Sequence, residues 1–275
     1  MSIEKRLEPF VGRFERTLDE RNRLTLPSDW VETIANRNLP GGVARLSVTR
    51  STDCTFYALY DRRGFDLLRQ QREIDYSRFS TLTIRGASRI CPGDDVISRL
   101  GLAAGAIFAA SPDGTHMRLW QPSAFLQWAE TRSQLAPAVP ALPVATPLQG
   151  SFVYAFDAAP QRFFLPAKLQ ALIAERNAPE DTRRFYAAER CAGDCNYLAL
   201  YDVNGFERAR TAGTVDCSDL VRCLLNDDGL FRINDRLLRH VRVRDRVALF
   251  AGPGGDHLEV WDADVRQAYA RSMPV

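Results

Sequence analysis

The sequence predicts an α+β protein, rich in short strands, in which one pattern occurs twice. CTFYALYDRRGF at residues 54–65 returns as CNYLALYDVNGF at 195–206, and ASPDGTHMRLW at 110–120 returns as AGPGGDHLEVW at 251–261, both displaced by 141 residues. Gly12 and Asp19 likewise correspond to Gly150 and Asp157. Between the copies, TRSQLAPAVPALPVATPLQ is proline-rich and holds no acidic residue, the composition of a semi-rigid linker. A long internal repeat implies duplicated architecture. The expected organisation is a domain over 10–130, a linker over 131–149 and a second domain over 150–270.

Each copy divides again, more faintly. VGRFERTL alternates as a strand does, a charged turn follows, and RLTLP is the return strand. SDWVETIANRN has helical spacing, with Ser28 placed to cap its N-terminus. GGVARLSVTR and TFYALY are strand-like, and Asp61 is positioned to cap a helix over DRRGFDLLRQQREI. In the second quarter TLTIRGASRI is another charged hairpin and GDDVISRLGL a helix. GAIFAAS and HMRLW are strands across an SPDGT turn, and QPSAFLQWAE closes the copy as an amphipathic helix.

With 45% hydrophobic and 25% charged residues, the composition is that of a globular protein. No apolar run is long enough to span a bilayer, and MSIEKRLEPF has neither an apolar core nor a cleavage site, so a cytoplasmic location is expected. Net charge is only +2, so no whole-molecule field points to a polyanion. The first 137 residues carry 19 basic and 16 acidic side chains and the rest 17 and 18, so the halves differ slightly. Of the 36 basic residues all but Lys5 and Lys168 are arginine, a composition that also suits bidentate phosphate contacts.

Six cysteines (Cys54, Cys91, Cys191, Cys195, Cys217, Cys223) are too sparse for a disulfide scaffold. Cys191 and Cys195 in CAGDC lack a second pair, so reduced thiols are expected, with no metal and no cofactor. His116 and His257 recur four residues before a tryptophan, as strand-edge residues would, and His240 has no nucleophile nearby. No nucleophile elbow, phosphate-binding loop or zinc-protease motif occurs, so the chain does not read as an enzyme.

DERNR at 19–23 followed by LTLP resembles the D-x-K-G-R-L-x-x-P signature of the MraZ family, bacterial proteins built from two SpoVT-AbrB-type swapped-hairpin repeats. The family's D-x-x-x-R pairing has four counterparts: Asp19 with Arg23, Arg85 with Arg89, Asp157 with Arg162, and Asp228 with Arg232. MRLWQPSAF at 117–125 and LEVWDADV at 258–265 are similar to the family's later strand and helix start. The resemblance covers most of the chain, as a tandem duplication of a unit about half its length. It implies swapped-hairpin barrels with short helices, four repeats in two pseudo-symmetric domains. It also implies a transcriptional regulator that binds double-stranded DNA at promoter repeats of cell-division and cell-wall genes, assembles into a ring-like homo-oligomer and associates with the nucleoid.

The quarters depart from the family pattern unequally. Arg85 stands at the acidic position of the second, DAAPQR lengthens the third, and Leu230 and Phe231 replace the basic residue and glycine in the fourth. In the first, Asn22 stands for the family glycine, because asparagine accepts positive φ. Asp19 and Arg23 either fasten this turn or take part in binding, whereas Arg21 at the tip has no evident partner. The resemblance thus implies DNA contacts from Arg13, Arg16, Arg21, Arg23, Arg85 and Arg89. Asp19, Asn22, Asp157, Arg162, Asp228 and Arg232 are expected to hold the hairpins.

In the second copy SFVYAF replaces the charged RFERTL, which suggests burial or a subunit contact. RLLRHVRVRDRV at 236–247 is either an anion-binding patch or half of an oligomer seam involving Asp235 and Asp245. Residues 1–30 hold six basic and six acidic side chains, so a fused paralogue that has kept the ring and lost DNA binding is the alternative.

Overall fold

A computed structural model describes residues 7–38, 45–53, 55–71, 74–86, 88–133, 146–156 and 161–272. It divides into two compact units, Met1–Pro137 with Asp216–Ser218, and Ala138–Val215 with Asp219–Val275. Both are mixed α+β, built on antiparallel sheets.

The first unit runs β1 (Arg13–Arg16), β2 (Leu24–Thr25), α1 (Ser28–Arg37), β3 (Arg45–Arg50), β4 (Phe56–Tyr60) and α2 (Arg62–Gln71). It continues with β5 (Phe79–Thr83), β6 (Arg89–Ile90), α3 (Asp94–Leu100), β7 (Ala106–Ala110), β8 (Met117–Trp120) and α4 (Pro122–Ser133). Six strands form one sheet in the order β1-β7-β8-β4-β3-β5, and β2 pairs with β6 in a separate ladder. Every residue of β7, AIFAA, is buried, which follows from covering both faces of the strand. Toward one face Phe108 meets Trp30 of α1 edge-on, with ring centroids 6.0 Å apart. Toward the other, Ile107 and Ala109 pack with Trp120 and Phe125. Trp30 also contacts Phe10 and Phe14, and its indole N–H donates to the Val11 carbonyl at 2.7 Å, so its polar atom is satisfied inside the core.

The second unit comprises β9 (Ser151–Ala155), β10 (Arg162–Phe164), α5 (Ala167–Arg176), β11 (Arg184–Ala192), β12 (Cys195–Asp202) and α6 (Val203–Thr211). Then follow β13 (Leu220–Leu224), β14 (Leu230–Arg232), α7 (Asp235–Val241), β15 (Arg246–Ala251), β16 (Leu258–Asp262) and α8 (Ala263–Ser272). Its large sheet has the order β9-β15-β16-β12-β11-β13, and β10 pairs with β14. Strand for strand this is the order of the first unit. Phe163, Phe185 and Phe231 join Leu165, Leu169 and Ile173 of the α5 segment in one buried cluster.

Several expectations change. Among the described residues neither unit closes into a barrel: β1 and β5, and β9 and β13, are separate edges of open sheets. The charged hairpins are hairpins only at their turns. β1 pairs with β7 while its return strand β2 pairs with β6, and β5 pairs with β3. The apolar side chains of the return strand, Leu24 and Leu26, are buried, and pairing with β6 buries them where pairing with the half-exposed β1 would not. Ser28 is not a cap. Pro27 occupies the N-cap of α1 without a side-chain bond, and the Ser28 hydroxyl donates to Asp29 at 3.4 Å. Asp61 does cap α2, its carboxylate accepting from the Gly64 N–H at 2.9 Å. Of the linker, residues 131–133 belong to α4 and 134–145 lie outside the described residues.

Candidate nucleic-acid interface

The first turn is closed by its own backbone and by Asp19. The Asp19 N–H donates to the Arg23 carbonyl at 3.0 Å, and the Asn22 N–H donates to the Asp19 carbonyl at 2.9 Å. Asn22 has φ 55°, the left-handed conformation that ends a three-residue loop of this kind. One Asp19 oxygen accepts from the Arg21 and Arg23 N–H groups at 2.9 and 3.0 Å. The other accepts from Arg23 Nε at 2.8 Å and lies 2.7 Å from Nη2. The bidentate Arg23 bond above all, with the two turn amides, lowers the Asp19 pKa to about 2. Arg23 is thereby committed to the turn, its own pKa raised by the Asp19 bond.

Arg21 differs. It is exposed at the tip, and among the described residues its guanidinium makes no hydrogen bond or ion pair. Arg16 turns toward the small ladder, donating to the Thr25 carbonyl at 3.2 Å and to the Glu15 carbonyl at 2.8 Å. Arg13 faces the other way, 6.0 Å from the Phe125 ring of α4. Residues three apart on a strand point to opposite faces, so Arg13 and Arg16 do not form one patch.

The second turn repeats the geometry without the acid. Arg85 and Arg89 exchange backbone hydrogen bonds at 2.8 and 3.0 Å, and Ser88 holds φ 62° where the first turn has Asn22. The expected Arg85–Arg89 correspondence is therefore a backbone bridge between two like charges. Arg89 is the ladder partner of Thr25, which brings Arg89 and Arg16 to the same strand pair, with Arg85 exposed beyond it. The two turns occupy opposite ends of β2–β6. Carboxylates accompany the first: Asn22 Nδ2 donates to Asp94 at 3.4 Å, and Asp95 pairs with Arg99 at 2.6 Å.

Among its described residues the second unit closes its turns with other side chains. Asp157 lies outside the described residues; Gln161 takes the left-handed position with φ 63°, and Arg162 follows it into β10. The fourth turn lies two residues earlier than the expected Asp228–Arg232 pairing. Asn226 N–H donates to the Leu230 carbonyl at 3.0 Å, the Asn226 side-chain oxygen accepts from Leu230 N–H at 2.7 Å, and Gly229 has φ 75°. Asn226 thus does what Asp19 does. Asp228 is an exposed tip residue, and Arg232 sits on β14 as the ladder partner of Arg162. The displacement of 141 residues from Arg85, Ser88 and Arg89 leads to Asn226, Gly229 and Leu230 and identifies this register. Gly229 takes there, without a Cβ penalty, the left-handed position that Ser88 holds in the second turn.

SFVYAF is buried in part: Phe156 belongs to the core and Phe152 and Tyr154 pack against it, while Val153 of β9 is 54% exposed. Among the described residues, two of the five arginines in the basic run 236–247 are paired within the unit, and Arg239, Arg242 and Arg244 are exposed. Arg236 pairs with Glu189 at 3.0 Å, Arg246 with Asp264 at 2.7 Å, and a His240 ring nitrogen lies 2.9 Å from the Arg190 carbonyl oxygen.

A second constellation recurs in both units, built from residues far apart in the sequence. Arg37 and Asp61 form an ion pair at 3.3 Å with side chains 1% and 0% exposed; Arg176 and Asp202 do the same at 3.1 Å with 2% and 0%. Asn38 and Asn177 donate to these carboxylates at 3.1 and 2.8 Å, and Gly64 and Gly205 donate to their other oxygens. Arg37 and Arg176 also reach the carbonyls of Gly114 and Gly255, both at 2.7 Å. His116 and His257 complete the motif over Tyr60 and Tyr201, with ring centroids 4.6 and 5.0 Å apart. Burial raises the Asp202 pKa and lowers that of Arg176. At Asp256 burial works upward, but the 2.6 Å His257 bond and nearby positive charge hold its pKa low. The Arg-Asn dipeptides at 37–38 and 176–177 were the available signal. These groups use their bonding capacity on backbone carbonyls, amides and one another, which is how a fastener between helix ends and a strand turn is built.

Among the described residues no cluster of three His, Cys, Asp or Glu is placed to hold a metal ion, and no helix is long and apolar enough to cross a membrane. Cys91, Cys191, Cys195, Cys217 and Cys223 are free thiols. No protein-family model matches the chain, and no curated protein matches it.

Proposed function

We propose that the chain is a DNA-binding transcriptional regulator similar to the MraZ proteins, acting at promoters of cell-division or cell-wall genes. In this reading β2–β6 and its two turns form the swapped-hairpin pair of the first unit, and β10–β14 the diverged pair of the second. Arg21 carries the reading: a permanently charged guanidinium without a hydrogen-bond or ion-pair partner among the described residues, at the tip of a turn whose backbone is pinned by four bonds to Asp19. Such a group is preorganised for a phosphate oxygen. Arg16, Arg85 and Arg89 lie toward the opposite end of the same module, whereas Arg23 holds the turn. One turn per chain is a weak contact, and a ring-like homo-oligomer would multiply it through avidity. The same reading places the protein on the nucleoid.

Binding to a promoter fragment with repeats, measured against salt, tests this. Each phosphate contact contributes about 0.9 to the slope of log K against log salt. Arg21→Ala is expected to lower the slope by about that amount per turn engaged, with an unchanged thermal melt. The carboxylates of Asp94 and Asp95 beside the turn favour a second reading, a ring component that no longer binds DNA. Wild-type protein with no affinity above random DNA at low salt would establish the second reading against the first.

A further inference from the structure

The first unit contains a cavity of about 450 Å³ bounded by the end of β3, the following turn, β4, β8 and the single 3-10 turn Tyr76–Arg78. This is the size of a small-molecule site, and it is remote in sequence from the Asp19–Arg23 turn. Its apolar side is the cluster that includes Ala58, Leu68, Ile74 and Phe79. Arg50, Arg78 and Arg118 line the remainder, with Asp53 and Asp75.

The two carboxylates are already engaged in their own turns. Asp53 accepts from the Thr55 N–H at 3.2 Å and the Thr55 hydroxyl at 2.9 Å; Asp75 accepts from the Ser77 N–H at 3.0 Å and its hydroxyl at 2.6 Å. These bonds, led by Ser51 for Asp53 and Ser77 for Asp75, lower both pKa values. Arg118 lies over the Phe56 and Trp128 rings, 4.8 and 5.8 Å from their centroids, whereas Arg50 and Arg78 are not spent in this way. Arg50 Nε is buried without a hydrogen-bond partner among the described residues, a donor that costs free energy until an acceptor reaches it. Arg78 is exposed at the rim and makes no side-chain hydrogen bond or ion pair among the described residues.

The second unit supplies an internal comparison. Strand register matches Arg50, opposite Tyr57, with Glu189, opposite Leu198. Arg118, opposite Ala58 and Ala109, matches Glu259, opposite Ala199 and Phe250. Arg78, the last residue before β5, matches Asp219 before β13. All three arginines of the cavity are acids in the other unit. The reversal of charge at three matched positions gives the first unit's cavity a cationic lining that the second unit does not repeat, where Glu189 instead pairs with Arg236 and Glu259 accepts from the Trp261 indole.

We propose that this cavity binds a small amphiphilic anion, its phosphate or carboxylate head on Arg50 and Arg78 and its apolar body over Leu68, Ile74 and Phe79. The site belongs to the first unit alone and is independent of DNA binding. Phenyl phosphate, inorganic phosphate and phenol are suitable probes, titrated calorimetrically into the full chain. Phenyl phosphate is expected to bind with one site per chain, more tightly than inorganic phosphate, and phenol not to bind. Arg50→Gln and Arg78→Gln are each expected to weaken phenyl phosphate about tenfold or more, the loss of a charge-assisted bond, while Arg21→Ala leaves it unchanged. Should Arg50→Gln perturb folding, seen as a lowered melt, Arg78→Gln at the exposed rim decides the matter. Equal affinity for phenyl and inorganic phosphate, or full affinity in folded Arg78→Gln, would overturn the proposal.

Discussion

Replacing Asp61 by asparagine tests whether the recurring Arg, Asp, Asn and His residues are fasteners. The Asp61 carboxylate accepts from Arg37, Asn38 and the Gly64 N–H, and neither charged side chain meets water. The Arg37 guanidinium also donates to the carbonyls of Glu8, Gly114 and Thr115 at 2.5, 2.7 and 3.0 Å and lies 4.0 Å over the Phe10 ring. These neutral partners orient the cation but do not balance its charge. Asp61→Asn therefore takes the Asp61 charge away from a buried guanidinium, and Arg37→Met takes the Arg37 charge away from a buried carboxylate; each is expected to cost about 3–5 kcal/mol. The double variant should cost less than the sum by about 0.5–3 kcal/mol, because it removes both charges together. Urea unfolding followed by tryptophan fluorescence reports the first unit, which holds Trp30, Trp120 and Trp128 against Trp261 in the second. Two cores can unfold in separate steps, so the first unit's transition must be fitted by itself. Single variants that each cost below about 1 kcal/mol, or a strictly additive double, would refute the fastener assignment.

Further outcomes follow from the turns and helix starts. Asp19 should titrate near pH 2 by carboxyl NMR, and Arg23→Ala should move the midpoint up toward 3.8. The depressed pKa means that its contribution to the turn is complete above the ordinary carboxylate range and is lost as pH falls through about 2; a wild-type midpoint near 3.8 would show the ion pair to be absent. Gly205→Ala should destabilise the second unit by about 1–3 kcal/mol in a denaturant titration, since a Cβ there collides with the Asp256 carbonyl; an unchanged midpoint would contradict that packing. Asn226→Ala should cost about 1 kcal/mol by losing the acceptor for Leu230 N–H, and Asp228→Ala almost nothing. The reverse order would restore the Asp228–Arg232 register.

While the structure committed Arg23, expected to contact DNA, to the turn with Asp19, the sequence by itself determined the duplication, the order of strands and helices, the Asp61 cap and the left-handed role of Asn22. These are local properties, set by side-chain periodicity, backbone φ preference and bonding within five residues, and they survive in any context the chain folds into. The opposite facing of Arg13 and Arg16 was equally legible, from the period of a strand. Tertiary structure decided which strand pairs with which, because β2 and β6, far apart in the chain, meet through burial of Leu24 and Ile90 and not through any local signal. It set the register of the fourth turn, where Asn226 supplies the bonds that Asp19 supplies in the first. It joined Arg37 to Asp61, two residues unremarkable apart whose charges exist in the core only as a pair. It also gathered Arg50, Arg78 and Arg118 around one cavity. Long-range partners are chosen by the requirement that buried charge and buried backbone be satisfied at once, a condition on the whole fold that no short stretch of chain expresses.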